Sequence, residues 1–157
     1  MIRKDAFWAK PWIFKLLMNI WRPFRGAGIR VEYIAPDFRE ISVSLKRRWY
    51  NRNIAGTHFG GSLYAMCDPF YMLMLLYNLG EDYIVWDRAG AIEHLLPPKS
   101  TVRARFSLSR AQLDYIREKT ENGRKYQPDF LVDIGDEHDE VVARVVKTIY
   151  IRKKPGR

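Results

Sequence analysis

The sequence predicts an α+β domain in which an antiparallel sheet wraps around one long buried helix. Three observations carry this. Residues 62–79 are apolar on every side, with Leu63, Met66, Phe70, Met72, Met74, Leu75 and Leu76, as a helix covered all round must be. Before and after that run the apolar residues recur with period two, the mark of half-buried strands. Finally, 157 residues allow one domain, and 47% hydrophobic content can fill a core for it.

Taken in order, residues 6–21 read as one or two short amphipathic helices interrupted near Pro11, with Trp8, Trp12, Leu16, Ile20 and Trp21 forming the apolar stripe. We expect this segment, residues 1–28, to cover an open flank of the domain at 29–157. A weak membrane-surface contact through the Trp-rich, basic N-terminus is the alternative. After Pro23 and Gly26-Ala27-Gly28 the period changes. Ile29, Val31 and Tyr33 alternate with Arg30 and Glu32, Ile41, Val43 and Leu45 alternate with Ser42 and Ser44, and Ala35-Pro36-Asp37 supplies the turn of a hairpin. A polar loop at 47–58 leads into Gly60-Gly61 and the buried helix.

Strands return at 83–95 and 101–108, separated by Pro97-Pro98. Ser109 is an N-cap and Gly123 a stop for a surface helix between them. A last hairpin pairs 129–134 with 140–152. Strand, strand, buried helix and four further strands with one inserted helix is the order of the hotdog fold. An edge strand would remain free, and pairing across a twofold axis would remove that liability.

The formal charge of +9 is unevenly distributed. Residues 1–30 hold seven basic side chains and one acid, and 147–157 hold five basic side chains and no acid, which leaves 31–146 slightly acidic. A nucleic-acid module would place its cations along one face of the fold, so no nucleic-acid partner is expected. Cys67 is the single cysteine, which excludes an internal disulfide and fits a small buried hydrophobe. The longest apolar stretch, Pro69–Gly80, falls well short of the ~20 residues of a spanning helix, and Lys10 and Lys15 interrupt any leader-like run. The expected compartment is the cytoplasm. No His, Asp or Glu pair shows ligand spacing, so neither a metal nor a cofactor is expected.

Asn53-Ile54-Ala55-Gly56-Thr57-His58-Phe59-Gly60-Gly61, followed after six residues by Asp68, is the informative stretch. Two glycines at the start of a helix expose N–H groups that can polarise a carbonyl. A carboxylate two turns on, among apolar side chains, can act as base or nucleophile. Asp68-Pro69 is equally the favoured pair to begin a helix.

These residues resemble the signature of hotdog-fold acyl-CoA thioesterases of the phenylacetate-pathway type, Asn-x-x-Gly-Thr-x-His-Gly-Gly, six residues, Asp. Asn53, Gly56, Thr57, Gly60, Gly61 and Asp68 stand in register, and the resemblance extends over roughly 29–152. Within that superfamily the chain is most similar to a bacterial subfamily with extra N-terminal helices. The resemblance implies Asp68 as general base or nucleophile, the Gly60-Gly61 backbone (Gly61 foremost) as carbonyl polariser, and Asn53 as a group placing substrate or water. It also implies a homodimer or dimer of dimers, with loop and acid from different subunits. His58, Phe59 and Gly60 would border the substrate, and an acyl chain would pass Met66, Phe70 and Tyr71. Arg103 and Arg105 are candidates for the nucleotide phosphates. One residue departs from the pattern: Phe59 stands where the signature has histidine, and His58 lies one position earlier. This departure favours the alternative function, a non-catalytic binder of acyl-CoA or lipid.

Overall fold

The computed structural model describes residues 10–155, so Trp8 and the first residues of the expected N-terminal helix lie outside it. Helix α1 (Pro11–Ile20) starts with proline at its first turn, where the fixed φ is favourable and no N–H is missed. Trp21 holds an extended backbone between it and α2 (Arg22–Ala27), and α2 ends at Gly28, whose φ of 82° suits glycine. A side chain at Gly28 would also strike the Asn51 amide. That amide ties three pieces of chain together: it donates to the carbonyls of Ala27 and Lys46 and accepts from the Arg48 N–H.

Strands β1 (Ile29–Ile34) and β2 (Glu40–Leu45) form the expected hairpin. A bulge between Val31 and Tyr33 turns Tyr33 outward and places Ile34 in the core, which corrects the simple alternation. The central helix runs in two segments, α3 (Gly60–Ala65) and α4 (Phe70–Leu79), with turns at Met66–Pro69. Strands β3 (Tyr83–His94) and β4 (Val102–Ser107) follow, then α5 (Arg110–Thr120), opened by a full capping box of Ser109 and Gln112. Strands β5 (Lys125–Tyr126), β6 (Asp129–Gly135) and β7 (Val141–Lys153) complete the chain. The two-residue β5, paired with β7, is not foreshadowed by the sequence.

The seven-stranded antiparallel sheet has the order β1-β2-β4-β6-β7-β3, with β5 beside β7. Its inner face holds Val43, Leu45, Phe106, Ile134, Val145 and Ile149 in one core with Met66, Phe70, Met74 and Leu75 of the central segment, all fully buried. This is the expected fold class, a sheet wrapped around a central helix, with one correction. The expected single long helix is two segments, and Met72, Leu73, Leu76 and Tyr77 of α4 are only half-buried, so it is not covered all round. The two sheet edges are treated differently. At β1, Asn19 of α1 donates to the Val31 carbonyl and accepts from its N–H, covering that edge. Residues 86–91 of β3, by contrast, are largely exposed and, among the described residues, have a strand neighbour on one side only, β7.

The rotation of α1 corrects the sequence reading of its faces. Ile13 and Phe14 point into the core, while Trp12, Leu16, Ile20 and Trp21, the stripe expected to dock, face solvent. The helix is apolar on both sides, so period alone does not choose between them. Asn19 does, because its pair of hydrogen bonds to Val31 fixes the rotation.

Candidate functional site

Asp68 lies in the break between α3 and α4. It does not cap α4: Pro69 occupies the cap position, and no side chain caps that helix. Asp68 Oδ1 instead accepts a 2.6 Å hydrogen bond from the Lys147 ammonium of β7. Lys147 also donates to the Tyr64 hydroxyl at 3.2 Å and lies 3.2 Å from Asp87 Oδ1, a charge contact without hydrogen-bond geometry. The lysine is 1% exposed, whereas the Asp68 side chain is 50% and Asp87 25% exposed. The sheet builds this cluster through register. Lys147 stands opposite Gly90, and Ile149 opposite Asp87, on the helix-facing side. A bulge between Asp87 and Ala89 adds the residue needed to bring Asp87 and Gly90, three positions apart, onto that one face. A Cβ at Gly90 would lie 2.1 Å from the Tyr64 hydroxyl, so only glycine lets the Tyr64 ring settle over the strand.

The electrostatics follow from burial and pairing. Burial by itself depresses the Lys147 ammonium, but the hydrogen bonds to Asp68 and Tyr64 and the charge of Asp87 outweigh it and raise its pKa. Burial pushes Asp87 up, against the pull of Lys147, and the charge of Asp68 adds to the rise. Lys147 therefore stays a cation and fixes the orientation of the Asp68 carboxylate. Asp68 Oδ2 makes no hydrogen bond among the described residues, on a side chain half open to solvent. Cys67, beside this cluster, is buried and its thiol is pushed far up by desolvation, so it is no nucleophile.

Sequence reasoning missed Lys147, which it counted among the basic residues of the C-terminal end. Its signal was present. In Ala143, Val145, Lys147, Ile149 and Ile151 the inward alternation contains one lysine where an apolar residue belongs.

The glycine loop lies at the start of α3. Asn53 uses both ends of its amide within the loop: Nδ2 donates to Thr57 Oγ1 (2.8 Å) and the His58 carbonyl (3.2 Å), and Oδ1 accepts from the Thr57 N–H (3.0 Å). His58 is buried, with Nε2 2.7 Å from the Ser100 carbonyl and Nδ1 without a partner among the described residues. Burial depresses its pKa, the bond to Ser100 opposes this, and Arg47 adds to the depression. It is thus a neutral imidazole donating from Nε2. Phe59 is exposed, with its ring over Gly61. The amides of Ser62 and Leu63 bond to the Phe59 carbonyl, and no bond among the described residues takes up those of Gly60 and Gly61. His94, at the end of β3, lays its imidazole over Gly60, about where a side chain there would touch it at 3.2 Å. A groove of about 390 Å³ opens here between Asn53, His58, Gly60, His94 and Leu95.

The other expected substrate contacts lie deeper. Met66 and Phe70 are fully buried, and Tyr71 is nearly so, with its pKa pushed to about 12 by burial and its hydroxyl donating to the Leu131 carbonyl. An acyl chain beside the helix would have to part the packing of Phe70 and Tyr71 on Phe106. Arg103 and Arg105 are exposed on β4, Arg103 facing Glu32 at 3.9 Å. Among the described residues no three His, Cys, Asp or Glu side chains gather as metal ligands, and no helix is long and apolar enough to cross a membrane.

Comparison with solved structures places this architecture. The chain superposes on a protein of unknown function and probable thioesterase from Pseudomonas aeruginosa with a TM-score of 0.76 at 17% identity, covering 88% of this chain and 93% of that one. A thioesterase from Haemophilus influenzae gives 0.67 at 17% identity over 100% and 99% of the two chains. A mutant of the phenylacetic acid degradation protein PaaI from Thermus thermophilus gives 0.56 at 23% identity over 81% and 96%. No curated protein matches significantly. At such identities the likeness shows the fold, which is the hotdog fold. The sequence itself matches one family over residues 10–151, and the chain therefore belongs to the family described as a domain of unknown function (DUF4442).

Proposed function

We propose that this protein is a thioesterase that hydrolyses an acyl-CoA thioester, fatty or aromatic. The observation that carries the reading is Asp68: a half-exposed carboxylate, held by one oxygen on a buried lysine and open at the other, in the helical segment that begins with the unpaired amides of Gly60 and Gly61. The thioesterases among the structural neighbours support the same reading. In this reaction the amides polarise the thioester carbonyl. Asp68 Oδ2 either removes a proton from the attacking water or adds to the carbonyl carbon itself. In the first route Asp68 takes the proton as the water oxygen adds, the carbon–sulfur bond breaks, and the thiolate of CoA leaves with that proton, the acid product after it. In the second the carbon–sulfur bond breaks as an acyl–Asp68 anhydride forms. Water then hydrolyses the anhydride, giving a proton to the CoA thiolate and freeing the acid and the Asp68 carboxylate. His94 supplies an imidazole over Gly60 in a loop that carries Phe59 at the signature's histidine position.

The protein acts, in this reading, as a homodimer paired along the open edge of β3, so that the glycine loop of one subunit meets Asp68 of the other. Sedimentation equilibrium giving a monomer mass at micromolar concentration would remove that part. The working compartment is the cytoplasm. A second reading, a non-catalytic binder of acyl-CoA or lipid, is favoured by the Phe59 ring lying over Gly61.

The test is thiol release from short, long and aromatic acyl-CoAs by wild type and Asp68→Asn. We expect the variant to lose about 100-fold or more of the turnover while its folding is retained. Undiminished turnover would take Asp68 out of the chemistry. Saturable binding without turnover by either protein would select the second reading.

A further inference from the structure

The edge of the sheet opposite β3 carries a second feature that the thioesterase reading does not use. Here α1 covers β1 and turns Trp12, Leu16, Ile20 and Trp21 to solvent, with Trp12 65% exposed. Trp49, in the turn after β2, is 81% exposed and stacks edge-on with Tyr50. Beside Trp12, Leu16 and Tyr50 lies a groove of about 560 Å³ lined by the cations Lys15, Arg25, Arg30, Lys46 and Arg48. None of the described side chains that line it is acidic. Lys15 donates to the Glu32 carbonyl, but Arg25, Arg30, Lys46 and Arg48 make no ion pair with any described residue. Four uncompensated cations beside a row of protruding tryptophan and aliphatic side chains fit a surface that is anionic outside and apolar just beneath.

We infer that this face, α1 with the β2 end and the Trp49-Tyr50 turn, docks the protein on an anionic lipid membrane. The tryptophans enter the headgroup boundary and the cations meet the lipid phosphates. Charge complementarity selects this occupant. A soluble nucleotide would satisfy the groove's cations yet leave Trp12, Ile20, Trp21 and Trp49 in water. The apolar face alone would suit a second copy of the chain, but the four like charges along it would repel one another there. The surface is independent of the thioester chemistry, and Asn51 joins it to the site by tying Ala27 and Lys46 to the start of the 47–58 loop.

The experiment is co-sedimentation of the full chain with vesicles of phosphatidylglycerol and phosphatidylcholine, and of phosphatidylcholine alone. Wild type is compared with Arg25→Gln/Arg48→Gln and with Trp12→Ser/Leu16→Ser, each checked for folding by circular dichroism. Wild type is expected on the anionic vesicles and released by salt. Removal of two cations should weaken binding about 30-fold, at about fivefold for each charge near the surface. The apolar variant should weaken it too and lose the blue shift of tryptophan fluorescence. Failure of wild type to bind anionic vesicles, equal binding to neutral ones, or unchanged binding by both variants would overturn the proposal. So would two reassignments. Full release by millimolar CoA or inorganic phosphate would give the groove to a free phosphate, and loss of self-association in Trp12→Ser/Leu16→Ser without vesicles would give the face to a second copy.

Discussion

Lys147→Met removes the ammonium from the centre of the site while leaving a side chain of nearly the same length, so little of its effect comes from a cavity. Removal of one partner from a fully buried ion pair costs about 3–5 kcal/mol, because the remaining charge is stranded. Here two carboxylates are left behind. Asp68 is 50% exposed and rehydrates, so its share is small. Asp87 is 25% exposed, and burial already pushes its pKa up against the pull of Lys147. We therefore expect a loss of about 2–3 kcal/mol near neutral pH, which for a chain of this length is a fall in Tm of about 5–10 °C.

The pH dependence identifies the cause. Lys147 has a raised pKa, so its contribution in wild type is whole below the ordinary lysine value of 10.5 and is lost only as pH rises through its folded value. The charge on Lys147 is therefore constant in wild type between about pH 5 and about pH 8. In the variant Asp87 faces burial without its counter-ion, and its folded pKa rises further above that of the unfolded chain. The folded protein then binds the proton more tightly, so the deficit shrinks as pH falls and grows as pH rises through that folded value. Thermal unfolding of wild type, Lys147→Met and Asp87→Asn/Lys147→Met at both pH values tests this. The double variant should recover part of the loss. A single variant as stable as wild type, a deficit indifferent to pH, or no recovery in the double variant would refute the argument.

Two further predictions use the same reasoning. Gly90→Ala should destabilise by about 1–3 kcal/mol, because its Cβ meets the Tyr64 hydroxyl at 2.1 Å; urea midpoints should show a smaller loss when Tyr64→Phe is added, as the two residues are coupled. His58 holds a depressed pKa, so its contribution is present above the ordinary value of 6.5 and is lost as pH falls below it. His58→Gln should accordingly flatten the fall in urea midpoint between about pH 7.5 and about pH 5.5, and an unchanged slope would show that another group titrates there.

Much of the fold was legible because it is local. The β1–β2 hairpin rests on alternation and a proline turn, and α5 on Ser109 and Gln112 three residues apart, all interactions within a few residues of chain. The candidate loop was legible for a similar reason: glycine pairs, an asparagine and an aspartate at fixed spacing lie on one continuous segment.

What period and spacing left undetermined is long-range. An apolar run cannot show where a central helix breaks, nor can a helix apolar on two faces show which one docks. The first depends on how Asp68 and Pro69 meet the sheet, the second on Asn19 reaching Val31. Lys147 is 79 residues from Asp68, and only the packing of the α3–α4 break against β7 brings them to 2.6 Å, while the register of β7 against β3, with the bulge at Asp87–Ala89, adds Asp87. The sequence by itself determined the six longer strands, the central helical run and the loop that carries the candidate chemistry, because hydrophobic period and turn chemistry are properties of neighbours. Tertiary structure alone decided which carboxylate oxygen stays open, which histidine lies over Gly60 and which face of α1 meets solvent, because each depends on pairing between residues far apart in the chain.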